Sequence, residues 1–122
     1  YLPSGRVIAA EIADTPEQVE RGYMYRQEVG PDDGMIFVFP GAGLHVFWMK
    51  NTLVPLDMIW MDDDFVVVHV QAMAPPCKSD PCPTYGPLRK ARYVLELKGG
   101  SAAREGLKIG DRLRIALPTG AS

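Results

Sequence analysis

Twelve glycines and eleven prolines are scattered through this 122-residue chain. That density constrains the fold more than any other feature. Both residues weaken helix interiors, and proline also removes a donor from a strand ladder, so the chain must be built from short elements joined by many turns. Between these breakers, apolar alternation and short valine-, isoleucine- and phenylalanine-rich runs read as strands over Arg6–Ile12, Met35–Phe39, Leu44–Met49, Leu56–Met61, Phe65–Gln71, Arg92–Lys98 and Arg112–Leu117. Pro40 is expected to end the second of these, and Asp62-Asp63-Asp64 to turn the fourth into the fifth as a hairpin. Thr15-Pro16-Glu17-Gln18 carries a cap, a proline at the first helical position and a capping-box glutamine, which predicts a helix to about Arg21 stopped at Gly22. A second short helix is expected from a Ser101 cap to Gly106, while the proline- and glycine-rich stretch Met73–Pro87 predicts irregular chain. The sum is a mainly β fold: one compact, β-barrel-like domain spanning residues 1–122, of about seven short strands with two short helices.

Composition bounds the function. An apolar fraction of 47% with 23% charged residues is that of a folded globule. A net charge of -2 argues against a nucleic-acid partner, which calls for a basic surplus. No apolar run reaches the length of a bilayer span. Cys77 and Cys82 are separated by four residues in a proline-rich loop, a spacing that predicts a disulfide and hence an oxidising, extracytoplasmic location. The start at Tyr1 rather than methionine is expected of a processed or trimmed form, so any targeting segment or lipid anchor would lie upstream.

Polar groups inside an apolar run mark the candidate site. Phe47-Trp48-Met49-Lys50-Asn51-Thr52-Leu53-Val54-Pro55-Leu56-Asp57-Met58 places a cation, an amide and a carboxylate where surroundings are core-like, and buried polar groups need partners. Two readings stay open: a Lys50–Asp57 ion pair that fixes a loop, or a pocket floor beneath Trp48 and Met49. Arg21, Arg26, Lys50, Arg89, Lys90 and Arg92 would add a basic rim if their loops share one end, suiting a small anionic or sugar-like ligand. The candidate ligand-binding set is therefore Trp48, Met49, Lys50, Asn51, Asp57 and Arg26. His45 and His69 each sit alone in a strand, with no nucleophile nearby and no link to the cysteine loop, so neither a metal site nor a cofactor is expected. Gly99-Gly100-Ser101 could hold an anion on backbone amides, although helix capping explains it as well.

Several motifs are distinctive as a set: Glu11–Pro16, Arg21-Gly22-Tyr23-Met24-Tyr25-Arg26, Gly34–Pro40, Phe47–Thr52 with Pro55-Leu56-Asp57, and Arg92–Leu97 through Gly110-Asp111. Together, over residues 6–117, they resemble the family catalogued as "domain of unknown function 192". The resemblance implies a small, mostly β domain, exported in many bacterial members. It implies no activity and carries no catalytic residue. Its hallmark positions map to Gly22, Met24, Arg26, Trp48, Met49, Lys50, Asn51, Pro55 and Asp57, with Tyr23 standing where leucine is expected. The functional expectation is an exported binding or accessory module for a small polar or anionic ligand or an envelope protein. The alternatives are a small enzyme using Asp57 as general acid or base tuned by Lys50, and a purely structural domain.

Overall fold

In the computed structural model, which describes residues 1–117, the elements follow the order β1 (Ala9–Ala13), α1 (Pro16–Arg21), β2 (Asp33–Gly43), β3 (Phe47–Trp48), β4 (Leu56–Met61), β5 (Val67–Ala74), β6 (Thr84–Tyr85), β7 (Ala91–Lys98) and α2 (Ser101–Glu105). Five strands form one sheet in the order β1-β2-β7-β4-β5, and β3 pairs with β6 in a separate two-stranded ribbon. The barrel-like expectation is thus corrected: the described strands form an open sheet, with β1 and β5 at its edges. The cause lies in two connections. β1 runs parallel to β2, and parallel neighbours need a crossover, which α1 and the following loop supply. β3 leaves the large sheet altogether and pairs Phe47 with Tyr85 and Trp48 with Thr84.

β4 lies between β7 and β5, and all six of its residues are buried. Both faces of the sheet are covered, which is why this strand reads as an apolar run without clean alternation. Leu56, Met58 and Trp60 point to one face with Met35, Phe37 and Val94, where Phe47, Met49 and Tyr85 from the ribbon side pack on them. Ile59 and Met61 point to the other with Ile36, Val38, Leu95 and Leu97, beneath Ala102, Leu107 and Leu113. The indole Nε1–H of Trp60 donates to the carbonyl of His45 at 2.9 Å, fastening the segment before β3 to the sheet.

Local signals succeed where partners are near in sequence. Thr15 caps α1 with both capping-box bonds present, and Gly22 closes it. The Cys77–Cys82 disulfide is formed. Other expectations give way to tertiary contacts. β2 continues through Pro40 to Gly43, with a register irregularity between Val38 and Gly43 that spares the proline a ladder donor. Leu44–Met49 shrinks to the two residues of β3. The stretch read as irregular contains β6. The expected last strand is not part of the sheet: Arg112 makes a single bridge to Val66, while Arg114 and Tyr1 exchange backbone bonds at 3.1 and 2.7 Å. Ser101 does not cap α2; the cap position is Gly100, in the left-handed region, and the Ser101 hydroxyl is buried without a partner.

Candidate functional site

Where α1 ends, the chain roofs a cavity of about 190 Å³. Its lining comes from the end of α1 (Val19–Arg21), from Gly22, Tyr23 and Met24, from Phe37 and Phe39 on β2, from His45–Trp48, from Lys50 and Thr52, and from Glu96 on β7. Aromatic rings form the walls: Phe37 and Phe47 meet in a T at 4.8 Å between centroids, and the His45 imidazole stacks on Phe39 at 3.7 Å. The His45 Nε2 lies 3.0 Å from the carbonyl of Gly41, which holds the ring in that stack. Gly22 keeps the space open. It sits at φ 47°, ψ -128°, and a Cβ there would lie 3.3 Å from the Phe37 Cζ and 3.7 Å from the Glu96 Oε1.

Glu96 is the residue that sequence reasoning missed as a site. Its cross-strand neighbours are Met35 and Met58, so the carboxyl lies among apolar side chains with 4% of the residue exposed. No described residue forms a hydrogen bond with it, and burial alone raises its pKa to about 8, which keeps it protonated at neutral pH. The available signal was alternation: within Val94-Leu95-Glu96-Leu97, Glu96 shares the face of Val94, and an acid on that face of a central strand must be buried. Tyr23 lines the same cavity. Its hydroxyl is buried without a partner, and its pKa is raised, chiefly by burial.

The candidate residues chosen from sequence separate into three places. Trp48 and Lys50 reach the cavity: Trp48 is 40% exposed, with the Lys50 Nζ 5.1 Å from the centroid of its ring. Lys50 is also held at 3.0 Å by Asp80 of the disulfide loop. That loop is clipped to the same segment by backbone bonds from Cys77 to Met49 and from Asn51 to Cys77, at 3.3 and 2.9 Å. Met49 is core, and Asn51 is a turn residue at φ 57°, a conformation asparagine tolerates, whose carbonyl accepts from Tyr25 at 2.8 Å. Arg26 lies over the Tyr23 ring at 5.1 Å and pairs with Glu11.

Asp57 lies elsewhere. One residue along β4 reverses the face, so its carboxylate points with Ile59 and Met61 towards α2, away from the ribbon side that carries Lys50. It is 0% exposed and accepts the backbone N–H groups of Met73, Gly100 and Ala102 at 2.8, 3.1 and 2.7 Å. The expected Lys50–Asp57 pair does not form. The amides around Gly99-Gly100-Ser101 do hold an anion, and it is this aspartate. The anticipated basic rim is dispersed as well: of its six members only Arg21 and Lys50 line the cavity, and Arg92 pairs with Asp63 at 3.7 Å.

Breaking the disulfide tests the link between loop and site. Substituting Cys77 and Cys82 by serine is expected to cost about 2 kcal/mol, the loop-closure term for so short a ring. It should also broaden the NMR signals of Lys50 and Asn51, whose partners lie in that loop. Denaturant unfolding and amide spectra, with and without reductant, read both effects. Unchanged signals would uncouple the loop from the site.

An open five-stranded sheet covered on one face by α1 and the β3–β6 ribbon and on the other by α2, with an aromatic cavity over a buried acid, defines a small β-rich domain. The sequence matches, over residues 2–115, the family described as "Uncharacterized ACR, COG1430", the domain of unknown function 192, and the chain belongs to that family. Two solved structures are similar. A protein of unknown function from Novosphingobium aromaticivorans DSM 12444 superposes with a TM-score of 0.85 at 36% identity, covering 93% of this chain and 79% of that one. A protein from Sinorhizobium meliloti 1021 named "a putative transcription regulator" gives 0.82 at 36% identity, covering 88% and 81%. No curated protein matches the sequence.

Proposed function

We propose that this chain is an extracytoplasmic binding module whose ligand is a small polar molecule held in the cavity between Trp48, Lys50 and Glu96. The observation that carries the reading is Glu96: a carboxyl without a partner among the described residues, turned towards an aromatic-walled space with a Gly22 gap in its roof. A structural acid would be expected to have donors, as Asp57 has. The disulfide supports the compartment, because such bonds persist in oxidising surroundings, and no described helix is long and apolar enough to cross a membrane. At about 190 Å³ the cavity suits a ligand of roughly one ring, given that an engineered cavity of about 150 Å³ binds benzene.

The acid–base alternative built on Asp57 loses its support, since both carboxylate oxygens are occupied by backbone donors out of reach of solvent. The regulator name of the S. meliloti neighbour gains none here. The net charge is -2, and the helices, of six and five residues, are too short to present a recognition face to a groove.

A fragment screen by amide NMR tests the proposal. Ligands should shift the signals of Gly22, Trp48, Lys50 and Glu96. Trp48→Ala should weaken binding by about tenfold, the loss of one aromatic wall, with little change in the thermal midpoint because Trp48 is largely outside the core. Hits that map only to other surfaces would remove the reading.

A further inference from the structure

Glu96 deepens the reading above and rests on it. We infer that the ligand is an organic ammonium, a primary or methylated amine on a small apolar body, seated with its cation against the Glu96 carboxylate and the Tyr23 oxygen between the cavity's aromatic rings.

Charge balance around the cavity is the first argument. The charged groups of α1 at the lining, Glu20 and Arg21, are adjacent and opposite in sign. Lys50 is neutralised by Asp80, and Arg26, over the Tyr23 ring, by Glu11. The two β-strand neighbours of Glu96 are methionines. His45, also in the lining, is stacked on Phe39 with its Nε2 turned to Gly41. That leaves one potential charge in the cavity unmatched, and it is negative.

Hydrogen-bond balance is the second. Glu96 has no hydrogen bond to a described residue and the Tyr23 hydroxyl is buried without one; once ionised the carboxylate only accepts, while the hydroxyl accepts and donates. An ammonium brings up to three donors and no acceptor, enough for the carboxylate and the hydroxyl oxygen. An anion would bring acceptors to a carboxyl and leave two like charges together once Glu96 ionised. The walls favour the same choice, because two lining rings already hold cations, the Arg26 guanidinium 5.1 Å from the Tyr23 centroid and the Lys50 Nζ 5.1 Å from that of Trp48.

Proton balance makes the inference measurable. In the empty cavity Glu96 holds its proton at pH 7. An alkylammonium arriving as a cation pairs with the carboxylate, so the Glu96 proton leaves to solvent. The net reaction is ammonium plus protonated protein going to complex plus one proton.

The test uses the intact chain with benzylamine, n-butylamine and tetramethylammonium, the last a cation without donors, beside benzyl alcohol, n-butanol and the anion benzoate. NMR titration at pH 7 should place the amines at Gly22, Trp48 and Glu96. Their affinity should exceed that of the alcohols by about tenfold or more, the size expected of a desolvated cation site. Calorimetry in buffers of different ionisation enthalpy should find about one proton released per amine bound and none for the alcohols. Glu96→Gln should reduce the amine preference to within about twofold, and Tyr23→Phe should weaken amines more than alcohols. Equal binding of alcohols, tighter binding of benzoate, or a preference that survives Glu96→Gln overturns the ammonium assignment while leaving the binding reading in place. Binding of none of the six probes at the cavity overturns both.

Discussion

Asp57→Ala is expected to destabilise the fold by about 4 kcal/mol or more. Three backbone donors, from Met73, Gly100 and Ala102, lose their acceptor at once, the Ala102 bond fully buried and the other two partly so, and each orphaned buried donor costs roughly 1–3 kcal/mol. These donors belong to the end of β5 and the start of α2, and Asp57 to β4, so the loss unties three elements together. A five-residue helix without a side-chain cap of its own depends on this distant carboxylate to order its first turn. Small domains carry only about 5–15 kcal/mol in all, and the variant should sit close to unfolding at room temperature. Asp57→Asn retains one accepting oxygen but turns an amide N–H₂ towards a backbone donor, for an expected cost of about 2–3 kcal/mol. Guanidinium titration of both variants settles the matter. A loss under about 1 kcal/mol for the alanine would show that the carboxylate does not hold these elements, and would return it to consideration as a site residue.

Glu96→Gln should act in the opposite direction, stabilising the protein at neutral pH. The carboxyl has an ordinary pKa of 4.5 and is pushed up to about 8 by burial. Below pH 4.5 it is protonated in both the folded and the unfolded chain and contributes nothing to the difference between them. From pH 4.5 to 8 the unfolded chain gains by ionising while the folded one does not, so wild-type stability falls as pH rises. Above about pH 8 the penalty levels off. At pH 7 it amounts to about 3 kcal/mol. Glutamine has a similar shape and never ionises, so the variant should be more stable by up to that amount at pH 7 and equal to wild type at pH 4. Denaturant midpoints across pH 4–9 check the shape of the difference as well as its size. Parallel curves for the two proteins would mean that Glu96 is not held neutral by its surroundings, and the proton release expected on amine binding would lose its source. A more stable Glu96→Gln would show that the native chain keeps an acid where glutamine would fit, at a cost in stability, a pattern characteristic of functional positions.

The two carboxylates explain why the candidate site was only half legible. Asp57 was conspicuous because it interrupts Leu56 and Met58 beside Pro55, and that conspicuousness reflects a structural task performed through backbone amides 16, 43 and 45 residues away. Glu96 was inconspicuous because an acid between leucines in a strand resembles ordinary polar alternation. Only the placement of β7 between β2 and β4, with the aromatic ribbon side above it, makes that face an interior. Lys50 and Trp48 were found correctly as neighbours in space because they are neighbours in sequence. Their third partner, Asp80, comes from a loop whose approach depends on the Lys50–Cys77 bridge.

Sequence alone determined whatever a few adjacent residues decide. The Thr15 capping box, the stop at Gly22, the boundaries of β4, the Cys77–Cys82 bond and the mainly β character all follow from spacing, propensity and turn chemistry acting over a handful of bonds. Tertiary structure decided what depends on pairing across the chain. The parallel docking of β1, the departure of β3 to β6 and the loss of the expected strand at 112–117 turned a list of short strands into an open sheet instead of a barrel. Strand alternation has a period of two residues, so Asp57 and Met58 were bound to face opposite ways. Which face would become the Glu96 cavity and which the seat of α2 is set by the segments that cover them, and those contacts are non-local.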